Sequence, residues 1–198
     1  MNQPAKDSKI HQGKIVVGAI ALLVVCIAVY AAWVGYHTPR GSGLLNALRA
    51  LLGDASVSGD EKRVGTIILE NFEEYRANAR NWSAVYFGCL FFSAACAALA
   101  GVVIKLDLLK NESVKKDAGA LLAMVSALLV TLSTAGGFHQ RWMVNRLAAA
   151  KMEKLGYDFL TADRKAELAR FSSEIQTISF ERNAEIVSSD SKQSKAKE

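Results

Sequence analysis

Three histidines (His11, His37, His139) and three cysteines (Cys26, Cys89, Cys96) carry the widest chemical repertoire in this chain of 198 residues. Their spacing supports little of it. Nucleophilic hydrolysis needs an activated Ser or Cys beside a base, yet each histidine stands near the end of a hydrophobic stretch and outside any triad motif. HExxH, a P-loop and a GxGxxG after a strand are all missing. The "GSG" at Gly41, Ser42 and Gly43 is a turn opening a short helix, too little for a phosphate cradle. The cysteines fall inside hydrophobic blocks with no CxxC or Cys/His ligand spacing, so they read as small apolar packing residues. The expectation is a non-enzymatic chain with no cofactor and no metal.

A second chemistry is open to hydroxyl side chains in apolar surroundings. Ser93, Ser126, Thr131, Ser133 and Thr134 lie in otherwise hydrophobic stretches. In an oligomer such groups can line a conducting path gated by a hydrophobic constriction. They can equally bond back to carbonyls of their own helix, which is the commoner arrangement. An ion-coupled carrier working as a single chain is disfavoured, because no ionisable residue lies within the hydrophobic blocks.

The elements that must position these residues are membrane spans. Half of the chain is hydrophobic (51%), gathered into three blocks: 15–36 ("IVVGAIALLVVCIAVYAAWVGY"), 82–104 ("WSAVYFGCLFFSAACAALAGVVI") and 118–138 ("AGALLAMVSALLVTLSTAGGF"). A helix of 22 residues, the length of the first block, is about 33 Å long and crosses the hydrocarbon core. The lysines before it (Lys6, Lys9, Lys14) give it the look of a signal peptide, but its length favours an uncleaved anchor. The fold class expected is an all-α membrane protein, with three transmembrane helices and cytosolic helical extensions.

With the N-terminus outside, seventeen Lys and Arg face the cytoplasm and seven face outward. The bias of basic residues toward the cytoplasm therefore favours N-terminus out and C-terminus in, in a bacterial inner membrane. Trp33, Trp82 and Trp142 then fall on one side, as an aromatic belt at the inner headgroup level. Arg76, Arg80, Arg141 and Arg146 join them as interfacial anchors. These arginines serve topology and lipid contact, or more sharply couple the cytosolic helices to the spans. A net charge of +5, concentrated near the ends of the blocks, points to anionic lipid more than to nucleic acid.

Helix packing is read from spacing. Ile68, Phe72, Tyr75, Ala79 and Trp82 recur at steps of four and three, and the phase continues through Tyr86, Cys89, Ser93, Cys96 and Ala100. A seam that turns small within the bilayer suits close helix approach. Phe87 and Phe91 lie on another face, suited to lipid. Gly119, Ala123 and Ala127 form a small stripe on the third span, for either an internal or an oligomeric contact.

Outside the spans, 1–14 is an N-terminal tail and 105–117 a short external loop. The segment 37–81 is a cytosolic loop containing an interfacial helix, "GLLNALRALLG", with Leu44, Leu48, Leu51 and Leu52 on one face. A pre-membrane helix starting near Val64 leads into the second span. Beyond the third span, the same helix is expected to continue past Trp142 until Gly156 weakens it, with Ala148, Met152, Leu155 and Phe159 as its apolar edge. Thr161 could cap a further helix in 139–187, whose Leu168, Phe171, Ile175 and Ile178 repeat heptad spacing and would serve self-association or a partner. The apolar-free run from Ser188, 188–198, reads as disordered.

The segments "EEYRANARNW" (Tyr75, Arg76, Arg80) and "FHQRWMVNRLAAAKMEKLGYDF" (Trp142, Arg146, Tyr157), flanking two hydrophobic helices, resemble the SLATT family of bacterial membrane effectors. The resemblance covers about half of the chain, 64–160. It implies a two-span hairpin between cytosolic helices that oligomerises and permeabilises the inner membrane in antiphage defence. Activation would come from a nucleotide-sensing or nucleotide-producing partner protein. The chain departs from that pattern in its additional first span and in showing no fused sensor domain. The function expected is a self-associating effector that forms or gates a pore. The alternative is a structural or adaptor membrane protein whose cytosolic helices dock a partner.

Overall fold

A computed structural model describes residues 41–105 and 112–195. These form five α-helices: α1 (Ser42–Gly53), α2 (Gly59–Lys105), α3 (Glu112–Ala135), α4 (Phe138–Thr161) and α5 (Arg164–Lys195), with no strand among the described residues. Two of them, α2 and α3, are long and apolar enough to cross a membrane. The expected tail 1–14 and first span 15–36, with Trp33, lie outside the described residues.

A local device sets the start of α2. Ser58 precedes the helix and Glu61 stands three positions on. The Ser58 backbone N–H donates to Glu61 Oε2 at 2.9 Å, and the Glu61 N–H donates to Ser58 Oγ at 3.4 Å. This reciprocal box satisfies two donors that the first turn leaves without helical partners. It also moves the start to Gly59, five residues before the Val64 expected from hydrophobic spacing. Acidic Asp60 and Glu61 in the first turn and Lys105 in the last complement the helix dipole. The 47 residues of α2 run about 70 Å without a break. The segments expected as a pre-membrane helix and a second span therefore form one helix.

The helix expected as the third span behaves differently. α3 ends at Ala135 and α4 begins at Phe138, so the expected unbroken passage from the third span into "HQRWMVNR" is corrected. Gly137 is the reason. Its φ of 62° lies in the left-handed region, which a residue with a Cβ adopts only at a cost. The Gly136 N–H still closes on Leu132 O at 2.9 Å, while Arg141 N–H starts the next helix on Gly137 O at 3.0 Å.

The described residues divide into two compact units. In the hairpin unit, 84–136, the C-terminal part of α2 pairs antiparallel with α3. Its contacts are made by small groups. Ser93, Ala100, Gly119 and Ser133 are buried. A Cβ added to Gly119 would stand 2.7 Å from Ile104 Cγ1, so any larger residue here would have to displace the Ile104 side chain. Large apolar side chains point away, with Phe92 68% and Met124 64% exposed.

The head unit consists of α1, residues 59–83 of α2, α4 and α5. One core joins all four: Leu44 and Leu48 from α1, Ile68, Phe72 and Tyr75 from α2, Met152, Leu155 and Phe159 from α4, Phe171, Ile175 and Ile178 from α5. Helix α4 runs antiparallel to α2 and α5. Its Gly156 does not weaken it; a Cβ there would meet Leu44 Cδ1 and Cδ2 at 2.9 Å, so the missing side chain makes room for α1. The expected interfacial helix is likewise corrected: α1 sinks its leucine face into this core, with Leu44 and Leu48 at 0% exposure. At the α4–α5 corner Thr161 is not a cap for α5. It is the last residue of α4, and its hydroxyl donates back to Tyr157 O at 3.1 Å. Finally, α5 continues through Lys195, where 188–198 was expected to be disordered. Ser188 Oγ and Ser191 Oγ donate to Glu185 O and Ser188 O. Extending a helix already nucleated by packing costs far less than starting one.

Candidate membrane-boundary site

The hydrophobic part of α2 begins at Trp82, and α4 begins at Phe138. The antiparallel pairing of the two helices sets these residues side by side, with ring centroids 5.8 Å apart and stacked. One turn along α4, the Arg141 guanidinium lies 5.1 Å from the Trp82 ring centroid. The next arginine, Arg146, lies 5.7 Å from the ring of Trp142, one turn back on its own helix. His139 meets Trp142 edge to face at 5.4 Å. Lower on α2, Arg76 packs 5.9 Å over Phe72. The structure thus pairs Arg141 with Trp82 and Arg146 with Trp142 of the expected belt, with Arg76 a turn and a half along α2 from Trp82. Arg80 is exposed on α2. Such stacks hold a guanidinium by its face and suit amphipathic surroundings.

Beneath this cluster lies a polar layer that spacing alone did not single out. Asn145, 1% exposed, donates through Nδ2 to Arg141 O at 2.7 Å and accepts from Arg182 Nε at 2.9 Å. Arg182 also lies 4.5 Å over the Tyr75 ring and 3.5 Å from Glu74 Oε1. Tyr75 OH and Ser179 Oγ are 2.8 Å apart. The signal was present in the sequence. Asn145 continues the Ala148, Met152, Leu155, Phe159 register by one step, and Arg182 continues that of Phe171, Ile175 and Ile178. A polar residue in a core register marks a buried hydrogen-bonded layer.

At the far end of the head, Arg164 Nε donates to Glu61 Oε1 at 3.2 Å and ties the start of α5 to that of α2. Hydrogen bonds from Ser58, its hydroxyl first and its backbone N–H next, with Arg164 adding to them, hold Glu61 below its ordinary value of 4.5 against the opposing effect of burial. Nearby Asp54 is lowered in the same direction, chiefly by the Ser56 backbone N–H. Among the described residues no group of three His, Cys, Asp or Glu side chains is placed to hold a metal ion.

The hydroxyls offered as pore-lining are placed otherwise. Ser93 Oγ donates to Ser126 O at 3.0 Å and lies 2.9 Å from Ser126 Oγ, so this pair is spent within the hairpin. Ser133 is buried. Thr131 and Thr134 are exposed but bond back to Ala127 O and Val130 O of their own helix. The small stripe divides between two faces. On α3 the seam toward α2 is Gly119, Leu122, Ser126, Leu129 and Ser133, at steps of three and four, whereas Ala123 and Ala127 are exposed. A step of four drifts about 40° per turn, so Gly119, Ala123 and Ala127 leave the seam one after another. On α2 the expected packing residues hold their places: Ser93 and Ala100 are buried and Cys89 and Cys96 half-buried.

The four residues offered for self-association or a partner are core. Phe171 is 0% exposed, Ile175 and Ile178 are buried, and Leu168 packs against the same cluster. Heptad spacing marked their burial correctly; the neighbour is the chain's own α2 and α4. What remains open at this edge is a groove of about 500 Å³ lined by Asp60, Arg63, Val64, Ile67, Leu168 and Ile175, among others.

Comparison with family models, with curated proteins and with solved structures finds no match to this chain.

Proposed function

We propose that this chain is a self-associating membrane protein whose assembly forms or gates a pore, with the hairpin in the bilayer and the head in the cytoplasm. One observation supports it above others. Ala120, Ala123, Ala127, Thr131 and Thr134 make a small, exposed face on α3, turned away from the seam that α2 occupies. The neighbouring face of the same helix is large and apolar, with Leu121, Met124, Leu128 and Leu132. Lipid accepts the second face; the first lets another helix backbone approach, which is how helices associate where burial in lipid offers no gain. On this reading Thr131 and Thr134 flank the contact between copies.

The motif resemblance to SLATT effectors supports permeabilisation of a bacterial inner membrane in antiviral defence, under a nucleotide-sensing or nucleotide-producing partner. The basic-residue bias supports three spans with the C-terminus inside. Purification in detergent tests the reading, followed by mass measurement and dye release from liposomes. The expected result is an oligomer that releases dye, and an Ala127→Leu form with lower mass, less release and an unchanged head melting temperature. A strict monomer that never releases dye contradicts it.

The groove between α2 and α5 favours a second reading, an adaptor whose head docks a partner. Its core residues cannot be the docking surface, so the test moves to the rim. Loss of a co-purifying protein on Arg63→Glu, with no dye release by the native chain, supports the adaptor.

A further inference from the structure

Opposite its core face, α5 carries a second periodic face. Ser173, Thr177, Phe180, Ala184, Val187 and Ser191 recur at steps of four and three, and all six are exposed. None of them is charged, although charged residues surround them: Arg170 bridges Glu167 and Glu174, and Lys151 holds Glu181 at 2.6 Å. The hydroxyls of Thr177 and Ser191 donate back to Ser173 O and Ser188 O of α5 itself, so neither needs water. Phe180 at 74% and Val187 at 67% are the most exposed large apolar side chains of the described head. One such residue is ordinary on a protein surface. Two on one uncharged seam, a heptad apart, match the pattern that paired helices bury between them.

We propose that this seam pairs in parallel with the same seam of a second copy. The proposal rests on the self-association reading and adds to it a contact in the head; it does not depend on a pore. With Thr177, Ala184 and Ser191 at heptad position a, and Ser173, Phe180 and Val187 at d, position g falls on Gln176 and Asn183 and position e on Glu174, Glu181 and Ser188. Residues at e and g flank the seam and set partner and direction. In a parallel pair each g meets the e five residues further along the second copy. The Gln176 amide then donates to Glu181, of which Lys151 takes only one oxygen. Asn183, whose Oδ1 accepts from Arg182, offers its amide N–H to the Ser188 hydroxyl. An antiparallel pair sets e against e, where Glu174 and Glu181 repel. The small residues at a let the backbones close around Phe180 and Val187, and replacing either of these opens the seam to water. A helix pair from Ser173 to Ser191 is about 27 Å long, near the small end of specific interfaces. It therefore adds to an assembly that the hairpins already gather.

Full-length protein with Cys26, Cys89 and Cys96 replaced by alanine is reconstituted in liposomes, and single cysteines are oxidised. Ser173→Cys and Ser191→Cys mark the two ends of the seam, and Ala150→Cys marks the exposed face of α4. Disulfide-linked dimer is expected at both seam sites, at about tenfold or more over Ala150→Cys. Phe180→Asp places two carboxylates in the seam and is expected to lower both yields about tenfold or more, with the head melting temperature unchanged. Phe180→Leu is expected to retain them. Efficient cross-linking at only one end indicates antiparallel pairing and overturns the proposal. So do seam yields no higher than that of Ala150→Cys, and yields that Phe180→Asp leaves unchanged. The mass of the same protein in detergent, before oxidation, separates the two claims. An oligomer without seam cross-links overturns the seam alone; a strict monomer without them overturns self-association as well. If the cysteine-free chain fails to fold, the native chain and Phe180→Asp are diluted in detergent, with the variant expected to dissociate at about tenfold higher concentration. Equal dissociation contradicts the seam.

Discussion

In the hairpin the buried positions are Ser93, Ala100, Gly119 and Ser133, while Phe91, Phe92, Leu121, Met124 and Leu128 face outward. In the head the buried positions are Phe72, Tyr75, Phe159 and Phe171, while the outer surface carries pairs such as Arg49 with Glu73 and Lys151 with Glu181. The same side-chain chemistry has been sorted in opposite directions. Water drives large apolar groups together, as in the head. On the proposed membrane reading, lipid removes that drive and leaves close backbone approach and interhelical hydrogen bonds, as at Gly119 and at Ser93 with Ser126. A single helix, α2, serves both plans, and its heptad register passes from Phe72 and Tyr75 to Ser93 and Ala100 without a change of phase.

The contrast can be broken by truncating a large apolar side chain in each region. Phe159→Ala is expected to cost the head about 3–5 kcal/mol, because it empties the centre of a four-helix core. Leu128→Ala, on the exposed face of α3, is expected to leave head stability within about 0.5 kcal/mol. Denaturant melts of both proteins in the same detergent measure the difference. A comparable loss in both would remove the distinction.

The polar layer sharpens the head's side of the comparison. Asn145→Ala leaves Arg182 Nε without its Asn145 acceptor, and a loss of about 1–3 kcal/mol is expected. In the hairpin the equivalent test is steric. Gly119→Val places a Cβ against Ile104, with an expected cost of about 1–3 kcal/mol through overpacking. Its readout is disulfide formation between S93C and S126C in a background without other cysteines, which should fall. Ala123→Val, off the seam, should leave that yield unchanged.

A smaller effect concerns pH. Glu61 is held below 4.5 in the folded head. Its contribution to stability is therefore complete above the ordinary glutamate value and is lost as pH falls through the lower, folded value. Melting temperature should drop on acidification below about pH 4.5, and Glu61→Gln should flatten part of that drop. Asp54 acts in the same sense.

Much of the fold was legible because periodicity survives a change of solvent. The seam from Ile68 to Ala100 and the edge from Ala148 to Phe159 were both read at their true positions. What spacing does not encode is which neighbour fills a face. Leu44 and Leu48 look alike whether they meet lipid or a helix core, and Phe171 to Ile178 look alike whether they meet a partner or α4. Gly137 and Gly156 show the same ambiguity. One breaks a helix through its φ of 62°, while the other sits inside a helix to admit Leu44. Of the membrane-boundary site, the tryptophans and arginines were legible from composition at the ends of the apolar blocks. Their mutual stacking, and Asn145 beneath them, depend on the antiparallel pairing of α2 and α4.

Spin-label accessibility in liposomes tests the two building plans most directly. Single labels at Phe92, Met124 and Leu128 on the hairpin, and at Leu147, Phe180 and Val187 on the head, are relaxed in turn by oxygen and by a water-soluble nickel chelate. The account predicts oxygen-dominated relaxation at the first three and nickel-dominated relaxation at the last three. Nickel-dominated relaxation at Met124 and Leu128 would contradict it.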